Sequence, residues 1–309
     1  VKSETITIGS RGSDLALWQA YHIKSKLEAL GHGVEIKIIK TQGDIIQHLS
    51  FDKMEGKGFF TKELEKELLE ESIDLAVHSF KDLETNFPEG LTIGAVTDRA
   101  NPCDLLLIRK EKVDSSLKWG LKQGALIGTS SARRKVQLKK HRPDIRLDDI
   151  RGNVPTRVNK LRHGNFDAIV LAKAGLDRLD HDVSDLHVHV FDPEEFIPAP
   201  AQGALACQIR LNDTRMTSIL DEIHREDIAT STSVERKVLN LFHGGCQLPL
   251  GAYCVALESG GYRLRAVMAE TVDQTPVEIT LEGANPAEMA IKAVAELKSK
   301  AGERLSQQR

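Results

Sequence analysis

The chain is poor in the residues that announce several common functions. Only 5% of its 309 residues are aromatic, among them two Trp and three Tyr. Too few rings are present to stack a run of bases, and no nucleic-acid motif is recognised, so nucleic-acid binding is not expected. The four cysteines (Cys103, Cys207, Cys246 and Cys254) have neither CxxC spacing nor the pattern of a disulfide framework. A reduced, cytoplasmic protein without a metal site is the expectation. No apolar run approaches the roughly 20 residues of a membrane-spanning helix. The opening residues VKSETITIGS lack a basic-then-apolar leader pattern, so neither secretion nor a membrane partner is expected.

What is present is an uneven charge. Residues 99–163 hold 17 Lys and Arg against 6 Asp and Glu, a net +11. Residues 1–98 carry −6 and residues 164–309 carry −8, giving −3 for the whole chain. A basic segment in an acidic chain points to an anionic ligand, with a solvated basic face as the plainer reading. At this length two or three domains are expected.

The chain opens as strand, turn, helix, strand. Thr5–Ile8 reads as a strand and Gly9-Ser10-Arg11-Gly12-Ser13 as a turn with Ser13 as N-cap. A helix follows, with Ala16, Ala20, Ile23, Leu27 and Leu30 on one face, and Val34–Thr41 is the next strand. The turn lies at the carboxyl edge of a sheet, where open α/β sheets bind ligands. There Arg11 can fork onto a carboxylate beside a helix N-terminus. Residues 42–60 have no clear period and read as a lid or a disordered loop, with Lys53, Lys57 and Phe60 as its working side chains. A helix at Lys62–Glu71 and a strand at Ile73–Val77 deliver His78-Ser79-Phe80-Lys81-Asp82 to another carboxyl edge. Lys81 and Asp82 there suit binding of a cation, polarisation of an N–H or proton transfer, or form a surface pair in a turn.

The second segment echoes the first. Ile127-Gly128-Thr129-Ser130-Ser131 repeats the form of Ile8-Gly9-Ser10-Arg11-Gly12, and Phe166-Asp167-Ala168-Ile169-Val170 repeats Ile73-Asp74-Leu75-Ala76-Val77. Two related α/β domains facing each other across a cleft are therefore expected. Arg133 and Arg134 fall in the first turn of a helix at Ala132–His141, where the dipole disfavours cations unless an anion lies in front of them. Arg151 ends a strand at Ile145–Ile150 and Arg157 opens the helix after it. Arg178 is a weaker member of the set. Pro198–Ala204 reads as a linker, after which Leu205–Ile209 returns to the first sheet. A helix (Ile228–Phe242), strands at 250–257, 262–270 and 277–281, a Ser259-Gly260-Gly261 hairpin and a last helix opened by Asn285-Pro286 form a small α+β unit. Its first connection, His243-Gly244-Gly245-Cys246-Gln247-Leu248-Pro249, presents a thiol on a stiff turn. That thiol is a nucleophile, an attachment point or a small buried apolar group.

Together IGSRGSDLALWQ, EGKGFFTKELE, IDLAVHSFKD, IGTSSARRKVQL, DIRGNVPTR, PAPAQGA and HGGCQLPLG resemble the porphobilinogen deaminase (hydroxymethylbilane synthase) family over essentially the whole chain. The resemblance implies two related doubly wound α/β domains of the two-lobed, type II periplasmic-binding-like kind. Domain 1 is 1–99 with 201–222, and domain 2 is 100–200. A small α+β domain with a three-stranded antiparallel sheet, 223–309, carries the cofactor cysteine. The family makes a transferase of heme and porphyrin (tetrapyrrole) biosynthesis. Four porphobilinogen units are joined head to tail, with loss of ammonia, on a dipyrromethane primer, and the linear tetrapyrrole is released by hydrolysis.

The dipyrromethane is implied to be a thioether on Cys246. Asp82, Lys81 and Arg11 match the positions of the chemistry. Ser13, Asp82, Lys81, Thr129, Ser131, Arg133, Arg134, Arg151 and Gln202 match those around the cofactor. Arg11, Ser79, Arg151, Arg157 and Arg178 match those for substrate carboxylates, and Lys53, Lys57 and Phe60 match the lid. Planar guanidinium groups suit the acetate and propionate groups of each added ring. A monomer acting on a small molecule is expected. One departure is Glu84, where the family usually has proline after HSFKD and one further residue. The competing class, a two-lobed anion-binding protein without chemistry, gives no reason for Gly-Gly-Cys on a third domain or for Asp82.

Overall fold

The computed structural model describes residues 5–41, 61–242 and 248–307. In chain order the first elements are β1 (Ile6–Ser10), α1 (Asp14–Ala29), β2 (Val34–Ile38), α2 (Lys62–Leu69), β3 (Leu75–Ser79) and β4 (Leu91–Arg99). Next come β5 (Asp104–Arg109), β6 (Leu126–Gly128), α3 (Ala132–His141), β7 (Arg146–Asp148), α4 (Val154–Arg162), β8 (Ala168–Ala172), α5 (Lys173–Arg178) and β9 (Leu186–Val190). The chain ends with β10 (Ala204–Arg210), α6 (Thr214–Asp221), α7 (Glu226–Leu241), β11 (Leu250–Ala256), β12 (Tyr262–Met268), β13 (Val277–Gly283) and α8 (Pro286–Gln307). Among the described residues no helix is long and apolar enough to cross a membrane.

These elements form two compact units, Val1–Ala100 with Gly203–Thr230 and Asn101–Gln202 with Ser231–Arg309. The first unit holds a five-stranded sheet ordered β2-β1-β3-β10-β4. Strand β1 runs parallel to β2 and β3, and β10 runs antiparallel to β3 and β4. The second unit repeats that pattern as β7-β6-β8-β5-β9, with β6 parallel to β7 and β8, and β5 antiparallel to β8 and β9. The expected return of the chain at 205–209 is therefore present as β10.

The repeat extends to single atoms. The Asp74 carboxylate accepts from Thr7 N at 2.7 Å, and the equivalent Asp167 accepts from Leu126 N at 2.9 Å. A Cβ on Gly9 would lie 2.3 Å from Ile73, and one on Gly128 would lie 2.9 Å from Phe166. Each glycine thus lets the residue before the matching aspartate lie flat over the neighbouring strand.

Each five-stranded sheet is covered on both faces, as its mostly apolar strands require. In the first, α1 and α6 cover one face through Ala20, Ile23, Leu27, Met216 and Leu220. Helix α2 covers the other through Leu64 and Leu68. In the second, α3 lies on one side, and α4 and α5 on the other. The second unit also holds the three-stranded antiparallel sheet β11-β12-β13. Val234 and Val238 of α7 and Ala290, Val294 and Leu297 of α8 pack on it. Gly260 and Gly261, both at positive φ, turn β11 into β12 as the hairpin reading requires.

One sequence reading is corrected and one is refined. Leu30 is not part of the buried face of α1: it caps the helix and is 40% exposed, because the chain turns away at Gly31. The stretch Pro198–Ala204 does join the two units, as its linker reading expects, but it is packed into the fold. Ala201, Gln202 and Ala204 are buried, and Pro198 O accepts from Ala252 N at 3.1 Å. Its prolines and alanines let the backbone pass close to β11, where a Cβ on Gly251 would lie 2.8 Å from Ile197 O.

Candidate active site

In the first unit the three parallel strands put their carboxyl ends on one edge. Strand β1 delivers Arg11 and Ser13 there, and β3 delivers Ser79 and the 3-10 turn Phe80–Asp82. Ser13 is the N-cap of α1 in position, with extended φ/ψ, but its side chain makes no capping hydrogen bond. Arg11, Ser13, Ser79 and Lys81 are half-buried and Asp82 is exposed. Successive residues of β3 are pinned on opposite faces of the sheet. Gln19 of α1 donates to Ser79 Oγ at 2.7 Å on one face. On the other, His78 Nε2 meets Gln208 Oε1 at 3.0 Å, and Gln208 Nε2 donates to Glu65 Oε1 at 3.2 Å. The turn bearing Lys81 and Asp82 thus leaves a strand end held from both sides.

The second unit presents the equivalent edge. Three helix N-termini follow β6, β7 and β8, and none of α3, α4 or α5 has an acidic residue in its first turn. In the first unit α1 has Asp14 there and α2 has Glu63 and Glu65. Unneutralised N-terminal dipoles are an anion-binding arrangement. Thr129 is buried and Ser131 caps α3, its Oγ accepting from Arg134 N at 3.4 Å. Ser130 ties the turn to the next strand end by donating to Ile150 O and accepting from Ile150 N. Arg151 is half-buried and its carbonyl accepts from Lys160 Nζ at 2.9 Å. Arg157 donates from Nε to Gly152 O at 2.7 Å, and Arg178 closes α5 with 9% exposure.

The anion in front of the paired arginines is, in part, the chain's own. Asp104, fully buried at the start of β5 and opposite Ala172, accepts from Arg133 Nη1 at 2.7 Å and from Arg134 Nη2 at 2.7 Å and Nε at 3.2 Å. Gln202 Nε2 adds a third partner at 3.0 Å. Burial works against the Asp104 charge, but the two guanidinium groups outweigh it and hold the carboxyl well below the usual carboxylate range. Four expected site residues (Arg133, Arg134, Gln202 and, through its cap, Ser131) are therefore built around an acid that sequence reasoning missed. Its only signal was a lone aspartate before the apolar run LLLI in the strand DLLLIR. Much of the remaining basic excess is matched locally, as in Arg142–Asp144, Lys135–Asp149 and Lys112–Asp167.

A second missed acid is Glu235 of α7, also fully buried. Its two oxygens accept from Ala201 N at 2.6 Å and Cys254 N at 2.8 Å. It ties the Pro198–Ala204 stretch to the helix and strand that flank residues 243–247. Cys246, Lys53, Lys57 and Phe60 lie outside the described residues. The side chains present fit a dipyrromethane with its carboxylates: a basic edge with three acid-free helix N-termini and a buried hydroxyl, Thr129.

A family model described as "Porphobilinogen deaminase, dipyromethane cofactor binding domain" matches residues 6–218. The chain is 44% identical over 263 residues to the porphobilinogen deaminase of a Nitratiruptor species, covering 85% of this chain and 83% of that one. It is 44% identical over 287 residues to that of Maridesulfovibrio salexigens, covering 92% and 90%. With these matches spanning both five-stranded sheets, the chain belongs to the porphobilinogen deaminase family.

Proposed function

We propose that the chain is a transferase that joins four porphobilinogen units head to tail, with loss of ammonia, and releases the linear tetrapyrrole by hydrolysis. The observation that carries this reading is the basic edge of the second unit, where three acid-free helix N-termini lie together with a set of arginines, within a chain of this family. The dipyrromethane, held through a thioether to Cys246, supplies a primer with a nucleophilic pyrrole end. A thioether has no easy leaving group, so the sulfur serves as a permanent handle.

The protein's own residues supply binding and charge. Arg11, Arg151, Arg157 and Arg178 hold acetate and propionate groups in bidentate fashion, and Ser79 adds a hydroxyl. Thr129, Ser131, Arg133, Arg134, Arg151 and Gln202 frame the cofactor, with Asp104 fixing the Arg133 and Arg134 forks and the Gln202 amide. Ser13 and Lys81 contribute further donors. Asp82 accepts from a pyrrole N–H and stabilises the positive charge that the ring carries during coupling. Lys53, Lys57 and Phe60 belong to a lid, and residues 223–309 act as a third domain presenting the cysteine. The enzyme works as a cytoplasmic monomer.

Intact mass tests the reading. Protein from cells that make the cofactor should exceed the sequence mass by one dipyrromethane, localised to the peptide containing Cys246. An unmodified mass under those conditions, with no tetrapyrrole formed from porphobilinogen, overturns it.

A further inference from the structure

Gln19 is the polar member of the buried face of α1, at 3% exposure beside Ala20, Ile23 and Leu27. Those three apolar residues belong to the same core as Leu75 and Val77 of β3. Side chains alternate along a strand, so Ser79 is the next member of the Leu75–Val77 row, at the point where that row reaches the carboxyl edge. There Gln19 Nε2 donates to Ser79 Oγ at 2.7 Å. Burying an amide costs free energy that a well-packed apolar pair in the same space would not cost. The layer between α1 and β3 does not need Gln19 for its packing, and the amide calls for another reason.

The Ser79 hydroxyl gives that reason. Ser79 stands in the N-cap position of the turn Phe80–Asp82, with extended φ/ψ, where a serine oxygen ordinarily accepts from a backbone N–H. It makes no such capping bond. The Gln19 amide takes that place as donor. A hydroxyl carries a single hydrogen and accepts through its oxygen. With the oxygen engaged by an N–H, the hydrogen is what the group has left to offer, and among the described residues no acceptor receives it. A carboxylate in place of the amide would reverse this polarity. The hydroxyl would then donate inward, and only its lone pairs would face a ligand, an unfavourable meeting for an acid.

We propose that Gln19 is a positioning residue that polarises Ser79, engaging its oxygen so that its hydrogen is presented to a carboxylate of the substrate. This rests on the reading of Ser79 as a substrate-binding hydroxyl and deepens it. Gln19 acts only through Ser79 Oγ and makes no contact with the substrate itself. The pair selects for an acceptor: an ionised acetate or propionate oxygen suits a hydroxyl hydrogen, and a charged acceptor makes the stronger bond.

Steady-state kinetics with porphobilinogen, on cofactor-loaded enzyme at about pH 8 where an ordinary carboxyl is ionised, test this as a double-mutant cycle. Gln19→Met keeps the length and bulk of the side chain but offers no donor. It should raise KM roughly 2–10-fold, the worth of one ordinary hydrogen bond, while kcat and the urea midpoint stay close to wild type. Ser79→Ala should raise KM at least as much, and the double variant should be no worse than Ser79→Ala alone. Gln19→Glu, which when ionised can only accept, should raise KM beyond Gln19→Met. The inference is overturned by an unchanged KM in Gln19→Met, by a wild-type KM in Gln19→Glu, or by additive effects in the double variant. A Gln19→Met enzyme whose kcat falls as far as its kcat/KM overturns it too. Should Gln19→Met not fold, Gln19→Asn, one methylene short of Ser79, carries the same test; if neither folds, Gln19 belongs to the framework and the inference falls. Failure of the transferase reading shows separately, as wild-type protein with neither a mass excess on the Cys246 peptide nor turnover.

Discussion

Arg134 grips Asp104 with two nitrogens, Nη2 at 2.7 Å and Nε at 3.2 Å, while its third, Nη1, donates to Val170 O at 3.1 Å. The pair is dry, with the Asp104 side chain at 0% exposure and that of Arg134 at 8%. Removing one partner of such a pair leaves uncompensated buried charge. Asp104→Asn should therefore lose roughly 3–5 kcal/mol of stability at neutral pH, read by urea denaturation. The folded-state carboxyl titrates below its unfolded value, so the contribution is complete above about pH 4 and is lost as pH falls through the depressed folded value. The difference between wild type and Asp104→Asn should accordingly shrink only in strong acid. An Asp104→Asn protein as stable as wild type at pH 7 would remove the pair from the framework of the second unit.

Asp82 differs from Asp104 in every physical respect. It sits exposed on a 3-10 turn and nothing in its setting asks it to hold the fold. Asp82→Asn should leave the urea midpoint and the mass excess at Cys246 unchanged, while kcat falls about 10²–10⁴-fold, the span of a single positioned acid or base. Near-normal turnover would take Asp82 out of the mechanism.

Much of the frame was legible because periodicity and turn chemistry report where apolar residues and backbone must go. The pairs Gly9/Gly128 and Asp74/Asp167 carried the internal repeat, since each performs a backbone task that few residues can perform. The polar interior was not legible. Asp104 meets partners 29, 30 and 98 residues away, and no local pattern says which buried acid meets which arginine. The paired arginines did signal an anion; that an aspartate of the chain would supply part of it required the tertiary structure. The burial of Pro198–Ala204 was hidden for a related reason. Its composition is that of a linker, but small residues also serve where two backbones must approach closely.

Gly152 joins Arg151 to the N-cap Asn153 at a φ of 112°, a conformation open to glycine. A Cβ there would lie 2.5 Å from Thr156 Cγ2, and Thr156 is held in place because its Oγ1 donates to Asn153 Oδ1 at 2.7 Å. Gly152→Ala should cost about 1–3 kcal/mol from backbone strain alone. Because the displaced segment carries Arg151, KM for porphobilinogen should rise more than kcat falls. Pairing it with Thr156→Ser removes the methyl but leaves the side-chain Cβ, 2.6 Å from the added group, as well as the strain, so rescue should be partial. Full rescue would show that the methyl contact, and not the φ, governs the site.

Glu235 is the last test, because its two oxygens do two jobs that no neutral side chain can do together. Oε2 accepts from Ala201 N, whose residue is held at a positive φ of 60°, and Oε1 accepts from Cys254 N. A glutamine offers one oxygen and one NH2, so in Glu235→Gln one buried backbone N–H must face another donor. The cost of such an unsatisfied group is about 1–3 kcal/mol. If it is felt as local opening, amide exchange at Ala201 or Cys254 should accelerate by roughly 5–150-fold while the β12 amides keep their protection. Exchange that speeds up equally throughout the three-stranded sheet would mean that Glu235 stabilises the whole module instead of tying one strand to the Pro198–Ala204 stretch. Unchanged exchange at both amides would mean that the carboxylate is dispensable to the tie.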